Sequence, residues 1–214
     1  MRRRCWAVVL LVLALVSSAF AVYSEDFSKG VMPDDFLVVE GVWQVEDGRL
    51  IGESAAQAIQ GRVVFGPEME DFVYSVDVTV LSVLNSARWF SIFFRAPYDG
   101  AAPYHMFTIR QGATAHNGTE LAFRNPGGNW DVRRTKPYKM NFDIGETHNI
   151  KVAVCDDVYL YFIDDELQFA AIEDGYADYG IFGLHVNGAK VAFDNIKIEP
   201  YDRSKYRAYE NEAD

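Results

Sequence analysis

The chain has 214 residues, half of them hydrophobic, with 31 acidic against 20 basic side chains and a formal net charge of −11. That balance argues against nucleic acid or an anionic membrane surface as partner, since both repel a net-negative protein. It fits neutral or cationic ligands, or a surface whose charge simply keeps the protein in solution.

The first element reads as a targeting segment. Arg2, Arg3 and Arg4 are followed by an apolar run from Cys5 to Val16 and by Ala19-Phe20-Ala21, an A-x-A cleavage signal. The run is shorter than the ~20 residues a spanning helix needs, and no later apolar run is long enough either. Residues 1–21 are therefore expected to be a signal peptide of a secreted, periplasmic or extracellular protein with no membrane span. Their removal takes three arginines and no acids, moving the charge from −11 to −14, and leaves 214 − 21 = 193 residues, one ordinary domain. One cysteine then remains, Cys155 in the strand-like run Ile150–Cys155, so no internal disulfide can form and the thiol reads as buried and inert. Asn117-Gly118-Thr119 fits an N-glycosylation sequon.

Residues 22–200 read as a succession of strands. Phe36 to Val45 is an apolar strand pair broken at Gly41, and Glu46-Asp47-Gly48 is a hairpin turn, Asp-Gly supplying positive φ. Gly61–Phe65 is a short strand. Phe72, Tyr74, Val76, Val78 and Val80 alternate along one face of the next. Three strands follow between Ala87 and Arg124, ending in Arg95, Arg110 and Arg124. Alternation puts Phe90, Ile92, Phe94, Phe107, Ile109, Leu121 and Phe123 on a dry face. It puts Trp89, Ser91, Phe93, Arg95, Tyr104, Met106, Thr108, Arg110, Glu120, Ala122 and Arg124 on the other. Pro126–Trp130 is a turn ending in an aromatic, and Asp131–Thr135 and Met140–Asp143 read as one more strand and a loop. In the arm from Ile150 to Phe162, Val152, Val154 and Val158 are expected to face the core, with Tyr159 and Tyr161 on the alternate parity; Asp156-Asp157 and Asp164-Asp165 mark turns. Gly180–Asn187 and Lys190–Ile198 close the domain around Gly188, and residues 201–214 form a polar tail, loosely ordered or a short helix. No 3.6-residue apolar period persists in the mature chain. Twelve to fourteen short strands indicate an all-β fold, a two-sheet antiparallel jelly-roll sandwich.

Four segments carry a resemblance. Trp43–Leu50 looks like the W-x-V-x-D-G-x-L hairpin of secreted concanavalin A-like sandwich domains. Ile92–Arg95 with Tyr104–Ile109 resembles their F-R … Y-x-F-x-I pair. Val158–Leu167 is similar to V-x-V-Y-V-D-G-x-L, and Gly180–Leu184 with Val191–Ile198 to the closing G-x-I-G-L … F-D-N-V-x-V. The superfamily includes laminin-G-like domains, fructan-binding modules, laminarinase-type glucanases and 3-keto-disaccharide hydrolase-like domains, so the fold leaves function open. A retaining glucanase needs two carboxylates ~5–5.5 Å apart, and no E-x-D-x-x-E strand is present. The keto-disaccharide branch shows a Glu-Trp-Asn element; Gly145–Asn149 keeps Glu146 and Asn149 without the tryptophan. The four histidines are scattered singly, without metal-ligand spacing.

The expected working surface is the arginine face. Arginine offers a fixed fork of donors to hydroxyls and carboxylates, and aromatic faces stack on sugar rings. The residues expected to bind a carbohydrate are Arg95, Arg110, Arg124, Tyr104, Trp89 and Trp130, with His185 and Asn187 reaching the same concavity. The resemblance implies Arg95 as the leading residue, and a structural Ca²⁺ held by Asp194 of the F-D-N motif together with Asp26. The reading is a non-catalytic carbohydrate-binding domain, with a keto-disaccharide-type hydrolase or an adhesion domain as alternatives.

Overall fold

The computed structural model describes residues 21–56, 59–112, 118–136 and 143–214. The signal segment, His116, the Asn117 sequon and residues 140–142 lie outside the described residues. Among the described residues fifteen strands form two antiparallel sheets, and one helix follows them. Sheet A runs, in order, β13 (Glu166–Ile172), β12 (Val158–Ile163), β11 (Thr147–Cys155), β6 (Phe72–Val83), β15 (Ala189–Pro200), β4 (Arg49–Glu53) and β3 (Val42–Glu46), with β1 (Tyr23–Glu25) also against β15. Sheet B runs β10 (Trp130–Lys136), β9 (Thr119–Arg124), β8 (Tyr104–Arg110), β7 (Trp89–Ala96), β14 (Gly180–Asn187), β5 (Gln60–Met69) and β2 (Leu37–Glu40). The core is the apolar layer between them: Phe72, Tyr74, Val76, Val78 and Val80 from sheet A meet Phe90, Ile92, Phe94, Phe107 and Ile109 from sheet B. This is a jelly-roll sandwich.

The turns follow from local chemistry. At Asp47-Gly48 and Asp164-Asp165 both central residues have positive φ, which matches the right-handed twist of the flanking strands. Two glycines move the chain from one sheet to the other. Gly41 separates β2 of sheet B from β3 of sheet A, and Gly188 separates β14 from β15, so neither joins a hairpin. Gly41 has φ 84°, and a Cβ there would fall 2.5 Å from the Gly61 Cα, which leaves only glycine.

Two expectations are corrected. Val158 lies on the outer face of sheet A, while Tyr159 and Tyr161 point into the core. The two-residue turn pairs Cys155 with Val158 and Val154 with Tyr159, and paired residues share a face. The second correction is Arg95. Between Ala96↔Ile181 and Phe93↔Gly183, β7 has two residues where β14 has one. That is a β-bulge, and Arg95 takes φ 53° in it. Its side chain leaves the outer face of sheet B and enters the end of the sandwich.

The tail folds. Asp202 caps α1 (Arg203–Glu210) by accepting from the Ser204 amide. Tyr201, Tyr206 and Tyr209 pack on Val73, Ala153, Leu160 and Phe162, the outward apolar residues of sheet A. No helix among the described residues is long and apolar enough to cross a membrane.

Candidate functional site

The outer face of sheet B is where chemistry-bearing side chains gather. One register position runs across the full sheet: Glu40, Arg62, His185, Ser91, Thr108, Glu120 and Thr135 are successive cross-strand partners on β2, β5, β14, β7, β8, β9 and β10. Beside this polar row lie the aromatics. Trp89 on β7 meets Trp130 on β10 at 5.5 Å between ring centroids although two strands intervene. The sheet is therefore curled, and this face is its concave side. Trp89 also meets His185 edge-on at 4.7 Å, and Tyr104 lies 4.8 Å from Phe93.

The charged groups on the face are fixed by few partners. Arg110 donates to Glu120 Oε1 at 2.7 Å and to the Ala87 carbonyl at 3.0 Å. Arg124 stacks its guanidinium over Trp130, 5.1 Å from the ring centroid. Arg62 donates to the Gly100 carbonyl at 2.8 Å and faces Glu40 at 3.6 Å. Arg88 donates to Asn187 Oδ1 at 3.2 Å. His185 Nε2 lies 2.9 Å from Gln60 Oε1. That oxygen can only accept, so Nε2 carries the proton and Nδ1 presents a bare lone pair. Burial, followed by the Arg62 and Arg124 charges, holds the His185 pKa well below the usual histidine range, so the ring is neutral.

Within the polar row, Arg62 Nε, His185 Nδ1, Ser91 Oγ, Thr108 Oγ1 and Glu120 Oε2 are buried with no hydrogen-bond partner. Tyr104 Oη, Arg110 Nε and Arg124 Nε, on the same face, are in the same state. Buried polar atoms are nearly always satisfied, because leaving one without a partner costs about 1–3 kcal/mol. Their concentration on one face sets it apart from the apolar inner face of the same sheet.

The structure thus brings Arg110, Arg124, Tyr104, Trp89, Trp130, His185 and Asn187 together on one concave face. Arg95 is elsewhere. Its Nη1 donates to Tyr159 Oη at 3.1 Å and the Ala177 carbonyl at 3.4 Å, and its Nη2 to the Glu70 and Asp156 carbonyls at 3.0 Å each. It ties both sheets together at one end. Alternation places Ser91, Thr108 and Glu120 on the face too, but they are ordinary strand residues until the row is complete. Arg62 joins only because β5 lies beside β14, a neighbourhood that sequence order does not give.

Asp26 and Asp194 lie away from this face, at the junction of β1 and β15. Asp26 accepts from the Ser28 amide and hydroxyl at 3.0 and 2.6 Å. The Asp194 pKa is raised, first by burial and then by the Asp77 and Asp26 charges. Asp77 accepts from Asn149 at 2.8 Å and Asn195 at 2.9 Å, so Asn149 of the Glu-x-x-Asn segment is also on the outer side of sheet A.

A two-sheet jelly roll with a curled, polar-rowed sheet is of the concanavalin A-like class. Residues 27–199 match the family described as the 3-keto-alpha-glucoside-1,2-lyase-like domain, and the chain belongs to that family. Among solved structures it is similar to the carbohydrate-binding module CBM66 from Bacillus subtilis (21% identity, TM-score 0.65, covering 77% of this chain and 95% of the module). It is also similar to a protein of unknown function with a galectin-like fold from Bacillus subtilis (13%, 0.63, 84% and 96%). The laminarinase catalytic domain from Thermotoga maritima is a third (11%, 0.59, 86% and 98%). At these identities the likeness is one of fold. No curated protein matches the chain.

Proposed function

We propose that the protein binds a carbohydrate on the concave face of sheet B and does not transform it. The observation that carries this reading is the polar row with the half-buried Arg62, Arg110 and Arg124 on the same face, flanked by Trp89 and Trp130. Guanidinium and hydroxyl groups match saccharide oxygens, and a tryptophan face matches the apolar face of a sugar ring. The likeness to a carbohydrate-binding module and the matched family support a glycan as the ligand class.

The family description also raises an elimination or hydrolysis of 3-keto glycosides. His185, with its bare Nδ1, is the base that such a reaction would use. Two features of this chain favour binding alone. A general base works best with a pKa near the operating pH, and His185 is held well below it. Glu120 is committed to Arg110 at 2.7 Å. The test is a glycan array followed by affinity measurement: Arg124→Ala is expected to weaken binding about tenfold or more, roughly 1.4 kcal/mol. Unchanged affinity would remove this face as the site. Turnover of a 3-keto-disaccharide by the purified protein, lost in His185→Gln, would replace the binding reading with the catalytic one.

We propose also that Ca²⁺ bridges Asp26 and Asp194. Burial is the first cause of the raised Asp194 pKa, and the Asp77 and Asp26 charges add to it; a divalent cation would relieve that added repulsion, which supports the bridge. Among the described residues no three His, Cys, Asp or Glu side chains converge on a metal position, so the remaining oxygens would come from backbone carbonyls and water. Calcium at a hundred times its Kd should add about 2.7 kcal/mol of stability; a melting temperature that EDTA leaves unmoved would refute the bridge.

A further inference from the structure

A cleft of about 480 Å³ opens at the end of the sandwich where β7 leaves sheet B and β14 enters it, away from the polar row. Among the described residues, the aromatic side chains that are largely exposed are Tyr98, Tyr179 and Tyr176, at 62%, 62% and 38%. All three line this one cleft, together with Glu68, Asp178 and Arg95. The other described aromatics are buried or half-buried, so three exposed tyrosines around a single concavity stand out.

The tyrosine-bearing wall is held in place. The Tyr176 amide donates to His105 Nε2 at 3.2 Å, and the Tyr176 hydroxyl donates to Asp131 Oδ2 at 2.7 Å. Arg95 fixes the Ala177 carbonyl, and a Cβ on Gly180 would strike the Ala96 carbonyl oxygen at 2.5 Å. A wall tied this way loses little freedom when a ligand arrives. Arg95 spends its four Nη–H groups on protein oxygens. Its Nε is buried without a partner. Glu68 and Asp178 form no ion pair among the described residues, so acceptors of hydroxyl hydrogen bonds dominate the polar rim.

We propose that this cleft is a second saccharide site, taking a neutral pyranose or a short neutral oligosaccharide. Tyrosine rings offer stacking faces, and the two carboxylates can each accept from vicinal hydroxyls. The same carboxylates repel uronic acids. The site is independent of the concave face: its aromatics sit on the β7–β8 and β13–β14 loops, not in the sheet.

The experiment is a residue-resolved amide NMR titration of the whole mature chain with maltotetraose, cellotetraose and a fructotriose. Trigalacturonate and choline chloride are run as separate arms. Saturable shifts at Tyr98 and Tyr176–Gly180 with a neutral sugar are expected. Tyr179→Ala and Tyr98→Ala, exposed positions whose loss should leave the melting temperature unchanged, should each weaken binding at the cleft about tenfold. Arg124→Ala should leave the cleft shifts intact, so loss of the concave site and loss of this one read out on different amides. Shifts only with choline would make the cleft a cation cage, and shifts only with trigalacturonate would make it an anion site; either overturns the proposal. So does an absence of cleft shifts with all three neutral sugars, or binding that survives both tyrosine substitutions.

Discussion

Arg95 shows how one residue can leave the face that alternation assigns it. Phe93 and Phe94 alternate as expected, but β14 supplies one residue fewer at this point. The resulting bulge turns the arginine from an outer-face ligand into an internal clamp. Nothing within β7 itself announces this, because the bulge is defined by the partner strand. The clamp is nearly inaccessible at 2% exposure, with four hydrogen bonds to neutral oxygens. Hydrogen bonds from a charged group are worth about 1.5–3 kcal/mol each, and deleting the donor removes a partner from the buried Tyr159 hydroxyl and from three half-buried carbonyls. Arg95→Ala is therefore expected to cost on the order of 3–5 kcal/mol in urea denaturation. At temperatures where the variant stays folded, affinity on the concave face should be unchanged. A variant of wild-type stability that loses concave-face binding would return Arg95 to the ligand surface. Trp89, Tyr104, Arg110 and Arg124, by contrast, lie on the face that alternation gives, since their strands pair there without interruption.

At the scale of the element, hairpins are the legible part and sheet membership is not. Asp-Gly and Asp-Asp turns declare themselves because few residues accept positive φ, and they set the register of the arms they join. Even so, Val158 reads as a core residue from the sequence, whereas the turn pairs it with Cys155 and hands the core to Tyr159. Apolar residues on both faces of β12 make sense once α1 is in place, covering Leu160 and Phe162. A short polar helix carries little signal of its own; its tyrosines dock on a surface the sequence cannot display. The glycines at the sheet-to-sheet crossings are equally silent about direction. Gly41 reads as a break, and the structure makes it a corner where two backbones touch. Gly41→Ala should cost roughly 3 kcal/mol through strain and overlap, and a melting temperature within a degree or two of wild type would show that the corner can yield.

For the molecule as a whole, the ordered set of four motifs made the two-sheet fold legible, because each motif fixes a hairpin or a closing strand. The polar row was not legible, since it needs seven strands from separate parts of the chain in register. The same assembly buries His105, His148 and His185, and the lowered pKa values of His105 and His185 make stability depend on pH. Burial, aided by the Arg95 and Arg133 charges, lowers the His105 pKa to about 3, and His185 is also held well below 6.5. His105 is locked neutral between Tyr159 Oη at 3.2 Å and the Tyr176 amide at 3.2 Å. A lowered histidine pKa means the unfolded chain binds protons that the native state refuses. Stability is then full above pH 6.5 and falls with acid until the folded pKa is reached. His105 and His185 should each contribute about 1.4 kcal/mol per pH unit once pH is a unit below 6.5. Asp26 and Asp202, whose pKa values are lowered by Ser28 and Ser204, add to the loss only below about pH 4. Asp194, raised, works in the opposite sense, and its effect lies above about pH 4, as pH falls toward the ordinary carboxyl range. Between pH 5.5 and 4.5 the histidines therefore dominate, and urea midpoints should fall with a combined slope near 2.7 kcal/mol per unit. His105→Gln keeps an acceptor and a donor for the two partners, and should remove about half that slope. A slope that survives both His105→Gln and His185→Gln would place the acid sensitivity elsewhere in the sandwich.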